Sequence, residues 1–290
     1  MKHYIYKGNR PSEGAVQLKN ALDGVLMKSE GSSYRGRQGT CVINWGTINA
    51  EAQRLEALAP IFLNSVNAVK LASNKLSFFR RMQEVLPEHT VPFAETLEAA
   101  ENMLNAGGRI FARTVLNGHS GSGIVLMCNA REAEIQAIAK VRRNNLMPVI
   151  VYGQDVMDPV RNCTLFTQGI TGKRTEFRVH VVRGRVILTQ AKLRREGHAD
   201  NPNSNTIVRN VDSGWVYGVN NVEEQVGVEA VRAAAIRAVE AVGLDFGAVD
   251  LVYKEDNQTA YVLEINTAPG LAEEGSAVAA YSEAFKELFV

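Results

Sequence analysis

Residues 245–271 read DFGAVDLVYKEDNQTAYVLEINTAPGL. Two β-rich runs flank a polar break at Glu255–Thr259, the pattern of a β-hairpin. If Lys254 faces Ala260, Asp250 falls directly opposite Glu264, and period-two alternation puts Asn266 on the face of Glu264. Carboxylates placed opposite one another, about 5 Å apart, repel. A cation removes that conflict, and two carboxylates with an amide oxygen are hard ligands suited to Mg2+ that also takes phosphate and water. The bland reading is a half-exposed strand pair whose charges diverge into water. The apolar residues flanking Asp250 and Glu264 favour the buried pair and its cation.

Two earlier stretches carry chemistry of a compatible kind. Residues 110–126, IFARTVLNGHSGSGIVL, run from strand through a Gly-rich turn to strand. There is no Gly-Lys-Ser/Thr and no helix start, so this is not a Walker A loop, and its glycine spacing is not the dinucleotide fingerprint. Its glycines still let backbone N–H groups approach phosphate oxygens, although an ordinary flexible hairpin has the same composition. In Thr175–Val181 the alternation sends Phe177, Val179 and Val181 one way and Glu176, Arg178 and His180 the other. Lys192, Arg194 and Arg195 end the returning strand. The carboxylate can hold ribose hydroxyls and the cations a transferring phosphate, or the set can form cross-strand ion pairs on a solvated face. His180 reads as structural.

Outward from these stretches, the periodicity predicts a small β-α-β beginning. Residues 3–6 and Cys41–Trp45 are strands, and residues 14–28 are a helix carrying Val16, Leu18, Leu22, Val25 and Leu26. Ala50–Leu58 is a further helix, and the loop 30–39 with Arg35 and Arg37 is basic. A helix at about 73–86 presents Leu76, Phe79, Met82, Val85 and Leu86 and stops at Pro87. Thr96–Asn105 and Arg131–Arg143 are helical, while Arg109–Val115, Ile124–Cys128 and Val149–Tyr152 are strands. Between hairpins at 176–193 and 248–266 lies another helix. Asn221 followed by Glu224 resembles a capping box ahead of it, Val231, Ala235, Ala238, Val239 and Val242 form its stripe, and Gly243 ends it.

With 46% hydrophobic residues, 22% charged and a net charge of +1 over 290 residues, most of the chain should fold, and the totals exclude a polybasic chain without excluding a local nucleic-acid-binding patch. That length exceeds what one core comfortably fills, so two or three compact units are expected. Three scattered cysteines, Cys41, Cys128 and Cys163, without C-x-x-C spacing fit a reducing compartment. No apolar run approaches the roughly 20 residues that span a bilayer, and no signal-peptide pattern opens the chain. A cytoplasmic protein without a membrane partner is expected.

Taken in order, NKLSFFRRM (74–82), RTVLNGHSGSGI (113–124), TEFRVHVVRGRVI (175–187) and above all the hairpin at 245–271 resemble the ATP-grasp superfamily of carboxylate–amine ligases. RimK-like and glutathione-synthetase-like members are nearest in motif. Asp250, with Glu264-x-Asn266-Thr267-x-Pro269-Gly270 following, is similar to the superfamily's metal-binding signature. The resemblance covers about residues 66–275. It implies an α/β (α+β) fold of two α+β lobes clamping ATP, in residues 66–290, preceded by a short N-terminal α/β domain in residues 1–65. The small lobe would span about 90–168, and the large lobe about 169–290 plus the helix at 73–86.

The resemblance also implies roles. Asp250, Glu264 and Asn266 would ligate two Mg2+ ions, with Mn2+ as an alternative, bridging the ATP phosphates. Lys75 and Arg113 would reach phosphate, His119, Ser120, Gly121, Ser122 and Gly123 would form the loop over it, and Glu176 would meet the ribose. Gln168, Gly169 and Ile170 would be the adenine hinge. Arg178, Lys192 or Arg194, with Arg209 and Asn210, would face the reaction centre. The superfamily commonly has Lys where Arg113 stands, which preserves charge but changes reach and geometry. The implied activity joins a carboxylate substrate to an amine acceptor through an acylphosphate, leaving ADP and phosphate. The acceptor could be a small molecule, a peptide or a protein terminus. A small-molecule kinase on the same scaffold and a nucleotide-binding module without turnover are the rival readings. The polar segment 196–206 would suit a lid.

Overall fold

The computed structural model describes residues 1–106, 108–117, 123–128, 149–151, 160–198, 201, 209, 213–271 and 276–288. Three sheets organise them. The first is parallel, in the order β2-β1-β3-β4, with β1 Lys2–Tyr6, β2 Val25–Leu26, β3 Thr40–Asn44 and β4 Ile61–Leu63. Parallel neighbours need crossovers, and helices α1 (Glu13–Ala21) and α2 (Ala50–Leu58) supply two of them. Each starts at a side-chain cap: Ser12 accepts from the Ala15 N–H, and Asn49 from the Ala52 N–H. The helix expected over 14–28 is shorter. It ends at Ala21, Asp23 turns at φ 47°, and Val25–Leu26 pair instead with Tyr4 and Ile5. An apolar Val-Leu pair satisfies either pattern; pairing to an open strand edge decides it.

The second sheet has the order β5-β9-β6-β7-β8. Its strands are β5 Phe93–Ala94, β6 Arg109–Arg113, β7 Ile124–Cys128, β8 Val149–Val151 and β9 Phe166–Gln168. Helix α5 (Leu97–Asn105), capped by Thr96, packs on it through Ala100 and Leu104. The helix expected at Arg131–Arg143 and the strand end at Tyr152 lie outside the described residues.

The third sheet is antiparallel, ordered β12-β11-β10-β13-β14, from β10 Arg174–Val182, β11 Arg185–Arg194, β12 Trp215–Gly218, β13 Phe246–Lys254 and β14 Thr259–Asn266. One face is mainly apolar, with Thr189, opposite Val179, accepting from Arg232 Nε at 3.0 Å. Phe177, Val179, Val181, Val249, Leu251 and Ile265 pack against helices α3 (Val66–Ser73), α4 (Lys75–Val85) and α6 (Val228–Ala241). Asn74 separates α3 from α4 and caps the latter by accepting from the Ser77 N–H. Val85, expected on the apolar face of α4, is exposed, and Phe78 is buried instead. The capping box expected at Asn221 is not formed. Helix α6 begins after Gly227 at φ 85°, where a Cβ would sit 2.2 Å from the Tyr253 ring, and no side chain caps it. Close packing of that ring, which local pattern does not reveal, sets the start.

The opposite face of the third sheet is divided. Val182 and Phe246 at one end join Ile5, Leu18, Ile43 and Trp45 of the first sheet and its helix. Tyr281 and Phe285 of helix α7 (Ser276–Glu287) complete that second core. The other end of the face carries charges. Among the described residues no helix is long and apolar enough to cross a membrane.

Asn64, at φ 63°, clasps the first sheet to the third. Its side-chain oxygen accepts from the Asp245 and Phe246 N–H groups at 2.9 and 3.0 Å, and its amide donates to the Phe246 carbonyl at 3.0 Å. Its own N–H donates to the Asp245 carboxylate at 2.7 Å. Orphaning buried backbone groups costs about 1–3 kcal/mol each. Asn64→Ala should therefore lower unfolding stability by roughly 3 kcal/mol or more, read as a reduced urea midpoint at unchanged m-value.

Candidate functional site

The β13–β14 hairpin places its carboxylates by an irregular route. Next to the turn, Lys254 pairs with Thr259 and Tyr253 with Ala260, one residue out of the register expected from the sequence. A β-bulge then leaves Leu263 without a partner, and beyond it Asp250 faces Glu264 and Ala248 faces Asn266. The bulge reverses the alternation of β14. Ala260 and Val262 point into the core before it, Ile265 after it, so Glu264 and Asn266 emerge on the Asp250 face. A continuous register would have set Leu263 against Asp250.

Across the sheet, one row runs Glu264, Asp250, Arg178 and Gln190. Arg178 donates from Nε and Nη2 to the two Asp250 oxygens at 2.7 and 2.8 Å. Burial works against the Asp250 carboxylate, but the Arg178 guanidinium outweighs it and holds the carboxyl below its ordinary range. Asn266 donates from Nδ2 to Asp250 at 3.3 Å, and Lys75 reaches from the start of α4 to Glu264 at 2.7 Å. In the next row Glu176 faces Val252, and Lys192 faces Tyr217. Glu176 is ringed by Lys192 at 3.1 Å, Arg209 at 3.2 Å and Arg174 at 3.9 Å. Burial first, and then the neighbouring Arg209, push Arg174 down to about 10.

Arg113, on β6 of the second sheet, comes close enough to Glu264 to feel its charge. Its burial lowers the guanidinium below the ordinary arginine range, an effect Glu264 partly offsets. Its Nε is buried without a hydrogen-bond partner. In the segment expected to be the hinge, the Gln168 N–H donates to the Pro92 carbonyl at 2.9 Å and the Gly169 N–H to the Arg109 carbonyl at 2.8 Å, so both are engaged within the protein. Ile170 packs against the first core. Gly123 turns at φ 71° and accepts from the Thr114 N–H at 2.8 Å. His119, Ser120, Gly121, Ser122 and Asn210 lie outside the described residues, as does most of the 196–206 segment.

His180 shares the Asp250 face but lies toward the second core, where its ring nitrogens meet Tyr281 at 3.2 Å and Gln190 at 3.0 Å. Arg194 is exposed at the end of β11, 5.5 Å over the Trp215 ring. Sequence reasoning missed Trp215 and Tyr217, because lone aromatics near a strand read as core. It also missed Arg174, whose place two residues before Glu176 was the available signal.

The donor set fits Mg2+: two carboxylates and an amide oxygen, all hard, with cations beside them that could turn to phosphate. Among the described residues no three His, Cys, Asp or Glu side chains are grouped to hold a metal, so the third protein donor here would be the Asn266 amide oxygen.

A parallel first sheet, a mixed second sheet and a charged antiparallel third backed by helices together make the ATP-grasp fold. Solved structures with that fold align over the whole chain. The ATP-grasp ligase PsnB, complexed with a phosphomimetic variant of its minimal precursor, Mg and ADP, aligns at TM-score 0.64 and 12% identity, covering 100% of this chain and 99% of that one. D-alanine–D-alanine ligase from Bacillus anthracis gives 0.63 and 14%, covering 100% and 96%. A RimK domain ATP-grasp protein from Sphaerobacter thermophilus gives 0.55 and 15%, covering 97% and 98%. No family model matches the sequence, and no curated protein matches it.

Burial sets the His180 pKa down to about 4, against about 6.5 for the unfolded chain. Between those values the unfolded chain takes up a proton that the folded one does not, so stability should fall as pH drops from about 6.5 to about 4, by up to roughly 3 kcal/mol. Urea unfolding of wild type and His180→Gln across that range should show the slope in the wild type and a shallower one in the variant.

Proposed function

We propose that the chain is an ATP-dependent carboxylate–amine ligase. The observation that carries this reading is the hard-oxygen set Asp250, Glu264 and Asn266, opened onto the same sheet face as Arg178 and Lys192 by the β14 bulge. The shared ATP-grasp fold supports it.

In this reading Asp250, Glu264 and Asn266 would hold the metal, two Mg2+ ions or Mn2+. The metal would neutralise phosphate charge and orient the γ-phosphoryl group for transfer. Lys75 and Arg113, both set beside Glu264, bind phosphate oxygens. Glu176 accepts from ribose hydroxyls. Gln168, Gly169 and Ile170 line the adenine, and the Gly-rich residues 119–123 would serve the phosphates.

The substrate carboxylate attacks the γ-phosphorus, the bond to the β-bridging oxygen breaks, and ADP leaves. The amine then attacks the acyl carbon, the C–O bond to phosphate breaks, and the amine proton is lost as the amide forms. Arg178, Lys192, Arg194, Arg209 and Asn210 orient the phosphoryl and acyl groups and stabilise the charge that builds on their oxygens. Arg178 and Lys75, paired with Asp250 and Glu264 at 2.7 Å, would turn to phosphate oxygens, leaving those carboxylates free for a metal.

A phosphate-release screen of Mg-ATP with carboxylate–amine pairs tests the activity. Glu264→Gln should lower turnover at least about 100-fold with an unchanged circular-dichroism spectrum; an equally active variant would sink the assignment. Arg113→Ala should weaken ATP affinity about 10-fold by calorimetry, and unchanged affinity would remove Arg113 from the phosphate site.

A further inference from the structure

Arg178, Lys192, Arg194 and Arg209 converge on two aromatic rings of one edge strand. Tyr217 carries the Arg178 guanidinium 4.2 Å from its ring centroid and the Lys192 ammonium at 4.9 Å. Two residues earlier, Trp215 carries Arg209 at 4.6 Å and Arg194 at 5.5 Å. Period-two alternation along β12 puts both rings on one face, and its pairing with β11 sets Tyr217 opposite Lys192 and Trp215 opposite Arg194. The rings are themselves held: Trp215 is 5% exposed with the His198 ring edge-on at 5.1 Å, and His198 is tied to the Gly214 carbonyl at 3.0 Å.

Five cations gather here, counting Arg174, and among the described residues the carboxylates ion-paired to them are Glu176 and Asp250, with Glu264 also acting on Arg178. Further acids would relieve the repulsion, but each would also repel a phosphate or compete for a metal. An aromatic face attracts a cation through its quadrupole and brings neither net charge nor a ligating oxygen. Guanidinium stacked on a ring keeps its N–H donors in its own plane, where an anion can take them. The Tyr217 hydroxyl also interacts with Lys192, and burial raises the phenol to about 12, so it stays protonated and neutral.

We propose that Trp215 and Tyr217 are positioning residues, a neutral aromatic platform that holds Arg178, Lys192, Arg194 and Arg209 side by side to receive the transferring phosphoryl group. This rests on the ligase reading, since it supplies the anion that the four cations meet. The platform acts through the cations and does not touch the reacting atoms.

Calorimetric binding of a non-hydrolysable Mg-ATP analogue separates ring electrostatics from packing. Tyr217→Phe and Trp215→Phe, which keep a ring face, should bind within about threefold of wild type; Tyr217→Leu and Trp215→Leu should bind at least about 10-fold more weakly. Mono-, di- and trifluorotryptophan at position 215 keep the shape while draining the ring face, so affinity should fall stepwise with fluorine count. Leu variants equal to wild type, or a flat fluorination series, would overturn the platform while leaving the ligase reading intact. Absence of analogue binding by the wild-type protein would overturn the nucleotide reading itself, and the platform's phosphate role with it.

Discussion

Two carboxylates on adjacent strands cannot face each other without compensation, and the charged half of the third sheet is arranged around that conflict. Asp250 and Glu264 are brought face to face by the bulge at Leu263, and each recruits a cation from a different element. Arg178 comes from the neighbouring strand, and Lys75 from the first turn of α4, distant in sequence. Within the chain the conflict is met by ion pairs, and in the proposed reading metal and nucleotide would meet it with the same residues.

The rest of the fold keeps this face fixed yet open. Apolar packing under α3, α4 and α6 covers the reverse of β10, β13 and β14, so β10 and β13 cannot shift register without exposing Phe177, Val179 and Leu251. On the front, the core shared with the first sheet and α7 covers only the end near Val182 and Phe246, where Trp45 stacks on Phe246 at 5.5 Å. Asn64 joins the two sheets at that same corner. His180 marks the boundary, its ring paired to Tyr281 on the buried side while Arg178, two residues away, opens into the charged half.

Much of the site was legible because it rests on strand alternation. Phe177, Val179 and Val181 point to the core and Glu176 and Arg178 away from it, as period two requires. The opposition of Asp250 and Glu264 was also legible, but through a register that holds only beyond the bulge. An extra residue on one strand leaves no mark in a hydrophobic pattern that reads equally well in either phase. The start of α6 and the end of α1 were misread for a related reason. Gly227 is fixed by the Tyr253 ring, and Val25–Leu26 by an open edge on β1, and both partners are remote in sequence.

Local order is what the sequence by itself determined: the hairpin, the glycine turns, the strand faces and the residue types of the candidate site. These depend on dihedral preferences and on a period that neighbours enforce. Tertiary structure alone decided which charges meet. Lys75 finding Glu264, Arg113 arriving from the second sheet and the cations settling on Trp215 and Tyr217 are contacts between elements, set by how sheets and helices pack. Coulomb and cation–π attraction depend on distance through space, and no spacing along the chain encodes it.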